Sequence, residues 1–300
     1  MSMNRVALSI AISSFLVLSQ IAPSALAQDN ASNALAKSLS LHASFDSGPD
    51  ADFARGDRSL WQSPTIEKRD AATKGLPAGD SATVEPNAGR FGGAMKFAKS
   101  KGPIVFFRAE KNFNMPSLNW SGSVLFWLKT DMANELSEGF CDPVQITSKQ
   151  WDDASFFVEF EKRASGTPFR LGVYSDKSVW NPTNRKFEDI PPSERPLVAV
   201  AKPPFEPSKW THVAFTFERF NSGKPDALAI LYLNGEKKGE LANRTQTFSW
   251  DPSMAAVMLG LSYVGKMDDL GLFDRALTQQ EITQVLELKN GLSDLVSNKK

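Results

Sequence analysis

Short segments in which apolar and polar residues alternate recur along most of the chain, and they constrain its fold more than any other feature. In residues 39–46, Leu41, Ala43 and Phe45 would share one face of a strand. Similar segments include "GSVLFWLKT" (122–130) and "KWTHVAFTFERF" (209–220), and turn-forming residues separate nearly all of them. About thirteen strands and almost no helix predict an all-β protein, either a sandwich or a barrel.

Two local motifs predict individual elements. Asn234-Gly235 lies between two strand-like segments and favours a type I′ hairpin turn, in which both central residues have positive φ. Thr278 and Glu281 form a capping-box pattern that begins a short C-terminal helix. Apolar residues at helical spacing in 282–286 continue this helix, and Gly291 is placed to end it.

The first residues have the pattern of a secretory signal peptide. Arg5 precedes an apolar segment at 6–21, and Ala25-Leu26-Ala27 matches the small-residue cleavage pattern. A membrane anchor is the alternative, but the segment contains several serines and is shorter than the ~20 residues that a span needs. We therefore predict cleavage after Ala27 and a secreted or periplasmic location.

The remaining chain divides into three predicted parts. Residues 28–37 are polar and Ala-rich and predict a flexible tether, 38–290 form one domain, and 291–300 form a C-terminal tail. An all-β domain of this size is common.

Charge and cysteine content exclude some classes of protein. Lys and Arg total 34, Asp and Glu also total 34, and no basic block is present. Neither nucleic acid nor an anionic membrane surface is therefore an expected partner. Cys141 is the only cysteine, so no intramolecular disulfide can form. A catalytic thiol is one interpretation of Cys141, but a buried inert cysteine is the commoner case.

A set of motifs resembles the laminin-G-like domains of the concanavalin A-like lectin/glucanase superfamily. The motifs are "GRFGGAMKF", "GSVLFWLKT", "KWTHVAFTFERF", "LYLNGEKKG" and "VGKMDDLGLFDRALTQQEI", and together they cover about 39–288. The chain also resembles secreted bacterial proteins of planctomycete type. The resemblance implies a jelly roll, an antiparallel β-sandwich of two sheets. It also implies a binding module that often holds calcium.

Catalytic motifs are weak. Glu159 and Glu161 lie two residues apart in "FVEFEKR" and would share a strand face, as a pair of hydrolytic carboxylates must. No Asp lies between them, the strand continues into Lys162 and Arg163, and a solvated outer strand face explains them better. The chain has no nucleophile elbow, zinc-protease motif or phosphate-binding loop. We therefore predict a protein that is not an enzyme.

Tryptophans beside turn residues are the candidate ligand-binding groups. Trp180, with Asn181 and Asn184, lies in "VWNPTNR", and Trp151 lies in "KQWDD". An aromatic face with adjacent amides and carboxylates suits the apolar face and the hydroxyl groups of a sugar ring. The alternative is that these tryptophans fill the bases of loops.

Acidic residues near both ends of the domain predict a structural calcium ion. Asp46 ends the first strand, and Asp268 and Asp269 begin the last one, which would lie beside the first in a jelly roll. Carboxylates and backbone carbonyls are the ligands that calcium prefers. The alternative is that Asp268 and Asp269 cap turns or pair with Lys266 and Arg275.

The sequence thus predicts a secreted, non-catalytic jelly-roll module that binds a polysaccharide or glycan, or an extracellular protein, with Ca²⁺ as a structural cofactor. Two alternatives remain open: a hydrolase or lyase that acts on glycans, and a structural or adhesive envelope protein.

Overall fold

Alternating apolar segments form strands throughout the chain, as the sequence predicts. A computed structural model describes residues 25–297, and side chains over 32–296. All of the predicted signal peptide except its last three residues therefore lies outside the described residues. The strands, in chain order, are β1 (Leu39–Ala43), β2 (Phe53–Ala54), β3 (Trp61–Ser63), β4 (Thr73–Lys74), β5 (Ala82–Glu85), β6 (Ala94–Phe97), β7 (Ile104–Arg108), β8 (Trp120–Lys129), β9 (Gly139–Thr147), β10 (Ser155–Lys162), β11 (Phe169–Tyr174), β12 (Leu197–Val200), β13 (Thr211–Phe220), β14 (Ala227–Leu233), β15 (Glu236–Arg244), β16 (Ala256–Leu261) and β17 (Gly265–Phe273).

The strands form two antiparallel sheets that pack face to face. The nine-stranded sheet has the order β15-β14-β13-β8-β17-β1-β2, with β6 paired to β17 and β5 paired to β6. The eight-stranded sheet has the order β12-β11-β10-β9-β16-β7-β3-β4. Every pairing is antiparallel, so the protein is an all-β sandwich of the jelly-roll kind, as predicted.

An apolar core fills the space between the sheets. Val124 and Phe126 of β8 and Phe215 of β13 enter it from one sheet, and Val144 and Phe156 enter it from the other. Aromatic rings are dense at its centre, where Trp120 contacts Phe217 with ring centroids 4.7 Å apart. Alternate residues of the same strands point outward, which is the period of two that the sequence displays.

Helices cover the outer face of the nine-stranded sheet. These are α1 (Ala25–Ser38), α3 (Gln279–Leu286) and α4 (Ser293–Ser297), whereas the short helix α2 (Lys177–Trp180) follows β11. The capping box of Thr278 and Glu281 is present, and Asn234-Gly235 joins β14 to β15, so both local predictions are confirmed. The helix that begins after Thr278 ends at Leu286, before the predicted stop at Gly291.

The two chain ends differ from the sequence prediction. Residues 28–37 lie within α1 instead of forming a flexible tether, and α4 lies in the predicted tail. Leu35 and Ala36 of α1 are buried in the same apolar cluster as Leu292 and Leu295. These mutual contacts, which no local pattern reveals, hold both ends on the sheet.

The outer face of the eight-stranded sheet is covered only in part. A 3₁₀ segment, Ile66–Ala71, lies over the β7 and β16 side, where Ile66 packs against a cluster that includes Phe106 and Met258. Over β9, β10 and β11 the face remains open and forms a cleft. Within residues 25–297, no helix is long and apolar enough to cross a membrane.

Candidate functional site

The cleft on the eight-stranded sheet has a volume of about 470 Å³. Its floor consists of outward-facing side chains of three adjacent strands: Asp142 and Gln145 of β9, Phe157 and Glu159 of β10, and Arg170 and Tyr174 of β11. Its walls come from the loop that follows β9, residues 149–151, and from a second segment at 187–188.

A bulge in β9 sets the direction of the polar floor residues. Val144 pairs with Val158 and Cys141 pairs with Phe160, so two residues of β9 face Glu159 alone. Pro143 occupies this irregularity, where a strand proline is tolerated because its missing N–H breaks no regular pairing. The extra residue changes the alternation, so Asp142 and Gln145 both point into the cleft.

Aromatic rings line one side of the cleft. Tyr174 and Phe157 stack with centroids 5.4 Å apart and an interplanar angle of 26°. Trp151 meets Tyr174 edge-on at 5.7 Å, and 48% of its surface is exposed. Phe140, near the start of β9, is 50% exposed and also lines the cleft. Exposed aromatic rings therefore occur both near the start of β9 and in the loop that follows its end.

Carboxyl groups and one guanidinium form a network on the floor. Arg170 Nε donates to Glu159 Oε1 at 2.9 Å, and Arg170 Nη1 donates to Glu161 Oε2 at 2.6 Å. Asp142 is hydrogen-bonded to Glu159. Burial, with the Glu159 carboxylate beside it, raises the pKa of Asp142 well above its usual range. Burial also raises the pKa of Glu159, which Arg170 opposes. We therefore assign the proton of this pair to Asp142, since Arg170 favours the ionised form of Glu159.

Gln145 differs from its neighbours because its amide has no protein partner. The residue is 3% exposed and lines the cleft, and no described group hydrogen-bonds to its side chain. Neither amide atom of Gln145 is among the fully buried side-chain atoms that lack a partner, so the amide reaches the cleft and can bind water or a ligand there.

The predicted ligand-binding residues lie at different distances from the cleft. Trp151 lines it, whereas Trp180 stands behind the wall and does not. The ring of Trp180 meets Tyr174 edge-on at 4.9 Å, and its Nε1 donates to the Asp152 carbonyl at 2.8 Å. Both tryptophans thus contact Tyr174, but Trp180 occupies the position of a loop support.

The two predicted asparagines lie in the turn after Trp180. Asn181 is buried, and its amide both donates to the Arg185 carbonyl at 2.8 Å and accepts from the Arg185 N–H at 2.9 Å. Asn184 is exposed with a φ of 50°, and neither asparagine lines the cleft. Both have structural roles in this turn, which a sequence of turn-forming residues does not distinguish from ligand contacts.

Sequence reasoning missed Gln145, Phe157 and Tyr174. They occur on strands at outward positions, where an ordinary solvated face was the expected environment. Pro143 inside an apolar strand was the one available signal, because proline in a central strand indicates a bulge.

The predicted metal residues lie elsewhere, near the segment 89–93. Asp46 Oδ1 accepts from the Gly93 N–H at 2.7 Å, and Asp268 Oδ2 accepts from the N–H groups of Arg90 and Phe91 at 2.6 and 2.9 Å. Asp268 Oδ1 is buried without a hydrogen-bond partner among the described residues. Burial is the main reason that the pKa of Asp268 is raised to about 8.

Asp269 points to other partners. Its φ is 55°, at an irregularity in the pairing of β17 with β8. Its Oδ1 accepts from His42 Nε2 at 2.8 Å, and its Oδ2 accepts from the Leu292 N–H at 3.0 Å. The alternative pairing of these acids with Lys266 and Arg275 is wrong, because those cations pair with Glu85 and Glu281.

Among residues 25–297, no cluster made of acidic, histidine or cysteine side chains alone is sufficient for a metal centre. Over the described part of the chain, no group of three or more such side chains could hold an ion by itself. Any cation between Asp46 and Asp268 would therefore also need backbone carbonyls.

Solved structures of similar fold include three domains of low sequence identity. The receptor-binding domain of botulinum neurotoxin C/D mosaic serotype is 16% identical, with a TM-score of 0.53, over 84% of this chain and 51% of that one. Domain 4 of AbnA, an extracellular GH43 arabinanase from Geobacillus stearothermophilus in complex with arabinotriose, is 17% identical, with a TM-score of 0.48 over 82% and 97%. The CBM40 of the Ruminococcus gnavus IT-sialidase, bound to α2,3-sialyllactose, is 13% identical, with a TM-score of 0.43 over 68% and 97%.

Comparison with curated proteins gave no match. The neurotoxin domain shares the fold, although the matched part is only about half of that chain. A family model described as the concanavalin A-like lectin/glucanases superfamily matches residues 111–283, more than half of the chain. The chain belongs to the concanavalin A-like lectin/glucanase superfamily.

Proposed function

We propose that this protein is a secreted, non-catalytic module that binds a glycan in the cleft of the eight-stranded sheet. Secretion would follow from the predicted signal peptide. The observation that carries the proposal is an open cleft that is lined both by exposed Trp151 and by the side chain of Gln145, which has no protein partner. An aromatic face beside a few placed polar groups is the usual composition of a site for a small polar ligand.

The solved structures that hold sugars fit this ligand class, but their likeness to the chain concerns the fold. The proposal therefore rests on the cleft itself. Trp151 offers a ring face at the surface, while Phe157 and Tyr174 support it from below. This aromatic cluster can pack against a sugar ring without rearrangement of the sheet.

A glycan array with two matched variants tests the binding function. Trp151→Ala should abolish binding or weaken it about tenfold or more, because the substitution removes the aromatic face that would pack against the sugar ring. Leu118→Ala is the control, since Leu118 is 59% exposed and does not line the cleft. Both variants should keep the melting temperature of the parent protein. If the parent protein binds no glycan, a structural or adhesive role would replace this proposal.

We propose binding without turnover because of the arrangement of the carboxylates. Hydrolysis of a glycosidic bond needs an acid and a second carboxylate on either side of the bond, roughly 5–10 Å apart. Glu159 and Glu161 instead share the guanidinium of Arg170, and Asp142 is hydrogen-bonded to Glu159. Incubation with polysaccharides should therefore release no new reducing ends or unsaturated ends. Turnover that disappears in Glu159→Gln would show that the protein is an enzyme.

We also propose a structural calcium ion between Asp46 and Asp268. Two features of the site fit a cation. Asp268 Oδ1 is buried without a partner, and a Cβ atom added at Gly89 or Gly92 would lie 2.7 Å from Asp268 or 2.3 Å from Asp46. The segment 89–93 thus approaches both carboxylates so closely that its backbone can supply further oxygen ligands.

Calcium should stabilise the fold. A ligand that binds only the native state adds about 2.7 kcal/mol at a hundredfold excess over its dissociation constant. The melting temperature should therefore be higher with calcium than with EDTA, and Asp268→Asn should remove that difference. Asp269→Asn is the control, since it should lower the melting temperature but leave the calcium-dependent difference. Equal melting temperatures of the parent protein in calcium and in EDTA would exclude the ion.

A further inference from the structure

We propose that the cleft selects uncharged glycans and excludes glycans that carry carboxylate, sulfate or phosphate groups. This ligand class rests on the proposed function, because it concerns the same cleft. Two features carry it: the cations that line the cleft are already paired with carboxylates, and the polar group that lacks a protein partner is neutral.

The cations that line the cleft have no capacity left for an anion. Within the described cleft lining these cations are Arg170 and Lys149. Arg170 binds Glu159 and Glu161, and its side chain is only 11% exposed. Lys149 Nζ donates to Asp176 Oδ1 at 2.8 Å and to Ser249 Oγ at 2.9 Å, and Asp153 Oδ1 lies 3.5 Å away. An acidic sugar would have to displace one of these carboxylates, which would then lose its own partner.

The charges that line the cleft leave no surplus of positive charge. Asp142, Glu159 and Glu188 line it together with Arg170 and Lys149, and Glu161 lies beside Glu159 on the same strand. With one proton on Asp142, the two remaining lining carboxylates balance the two lining cations. An anionic ligand would therefore meet no unpaired positive charge of the lining in a partly enclosed site, where charges are screened less than at an open surface.

The group that awaits a partner is an amide. Gln145 is almost fully buried, faces the cleft and lacks any hydrogen bond to its side chain over the described residues. An amide offers both a donor and an acceptor, which is the complement of a sugar hydroxyl. The protonated carboxyl of Asp142 also offers a donor without a positive charge. The floor can therefore satisfy hydroxyl groups but offers no site for a free anion.

Matched pairs of oligosaccharides test this selectivity. The probes are cellohexaose with its C6-oxidised uronate form and lactose with α2,3-sialyllactose, together with an array of neutral and acidic glycans. The uncharged member of any pair that binds should bind about tenfold more tightly than its acidic partner at low salt. Gln145→Ala should weaken that binding by about tenfold, the effect of one lost hydrogen bond to a buried group. Leu118→Ala should change neither value.

A charge variant tests the cause of the exclusion. Glu159→Gln removes one carboxylate from Arg170 and should raise the affinity for the acidic member relative to the neutral one. If Glu159→Gln fails to fold, Glu161→Gln frees the same guanidinium from its other partner.

One result would overturn the ligand class and leave the proposed function intact. It is an acidic glycan that binds as tightly as its neutral partner, with binding lost in Trp151→Ala. If no glycan binds at all, the proposed function itself fails.

Discussion

Gly172 determines the shape of the aromatic part of the cleft floor, which Phe157 and Tyr174 form. It pairs directly with Phe157, and a Cβ atom added there would lie 2.1 Å from the Phe157 ring. Only glycine lets the ring lie across β11 at this position, where it stacks on Tyr174. The absence of a side chain at Gly172 thus allows the aromatic part of the cleft floor to be flat.

We expect Gly172→Ala to disturb both stability and binding. The added methyl group must push the Phe157 ring away, at a cost of about 1–3 kcal/mol typical of overpacking. Urea unfolding should show this loss, and the glycan array should show weaker binding. The double variant Gly172→Ala with Phe157→Leu provides the control, because the smaller side chain gives the methyl group room. If the losses of stability from the two substitutions are simply additive, the contact between Gly172 and Phe157 does not determine the shape of the cleft floor.

His212 should make stability depend on pH. The ring is buried against Trp127, and burial lowers the pKa of His212 to about 3. An unfolded chain binds this proton near pH ~6.5, whereas the folded chain resists it until about pH 3. The contribution of His212 to the free energy of unfolding is therefore fully present above the pKa that this group has in the unfolded chain. It falls as the pH drops below that value, by at most about 1.4 kcal/mol per pH unit.

The comparison of two proteins isolates this effect. Urea unfolding at pH 7 and pH 4.5 should show that His212→Gln loses less stability between the two values than the parent protein does. The other titrating groups are common to both proteins and cancel in the comparison. An identical pH dependence would mean that His212 does not resist protonation in the folded state.

The site could be predicted from the sequence only in part. Trp151 and Trp180 stand out because both are aromatic residues beside turns, and both contact Tyr174. Which of the two is exposed depends on how the loop after β9 packs, and that is a tertiary property. The position of Gln145 in the cleft is equally hard to predict from the sequence, because the direction of its side chain depends on the bulge at Pro143.

At the scale of elements, α4 is held by contacts and not by its own propensity. It has five residues, too few for a stable isolated helix. Leu292 and Leu295 are buried at 1% exposure, and the Leu292 N–H donates to Asp269. The segment therefore closes the outer face of the nine-stranded sheet beside the last strand.

A chain that ends at Asn290 should be less stable than one that ends at Ser297. Two buried leucines are worth about 1.5–3 kcal/mol each, so we expect a loss of about 3 kcal/mol or more. The loss should appear as a lower urea midpoint, with little change of slope. An unchanged midpoint would mean that α4 is not docked in solution.

Elements with local signals were predictable, and elements without them were not. The turn at Asn234-Gly235 and the capping box at Thr278 depend on neighbouring residues, so the sequence displays them directly. α1 is Ala-rich and lacks an apolar stripe, and its burial depends on α4, more than 250 residues away along the chain. The short strand β3 is likewise held by pairing with β7, which lies far along the chain, and β4 pairs only with β3.

At the scale of the whole molecule, the first strands complete sheets that the rest of the chain begins. The family model matches 111–283, but β1 lies between β17 and β2, and β7 lies between β16 and β3. β6 pairs with β17 as well. The segment before residue 111 also places Leu41, Phe45 and Phe107 in the central core. The folding unit therefore extends well beyond the matched segment.

We expect a chain of residues 111–297 not to fold, whereas residues 28–297 should unfold in one cooperative transition. Without its first strands, the core would be open to water along β16 and β17, and both would become unpaired edges. Each large apolar core side chain that is lost removes about 2–5 kcal/mol, so even a few exceed the 5–15 kcal/mol that stabilises a typical domain. Thermal unfolding by circular dichroism and the dispersion of the proton NMR spectrum measure the outcome for both chains. A sharp transition and a dispersed spectrum for 111–297 would show that the matched segment is an independent domain and that β1 to β7 are an addition to it.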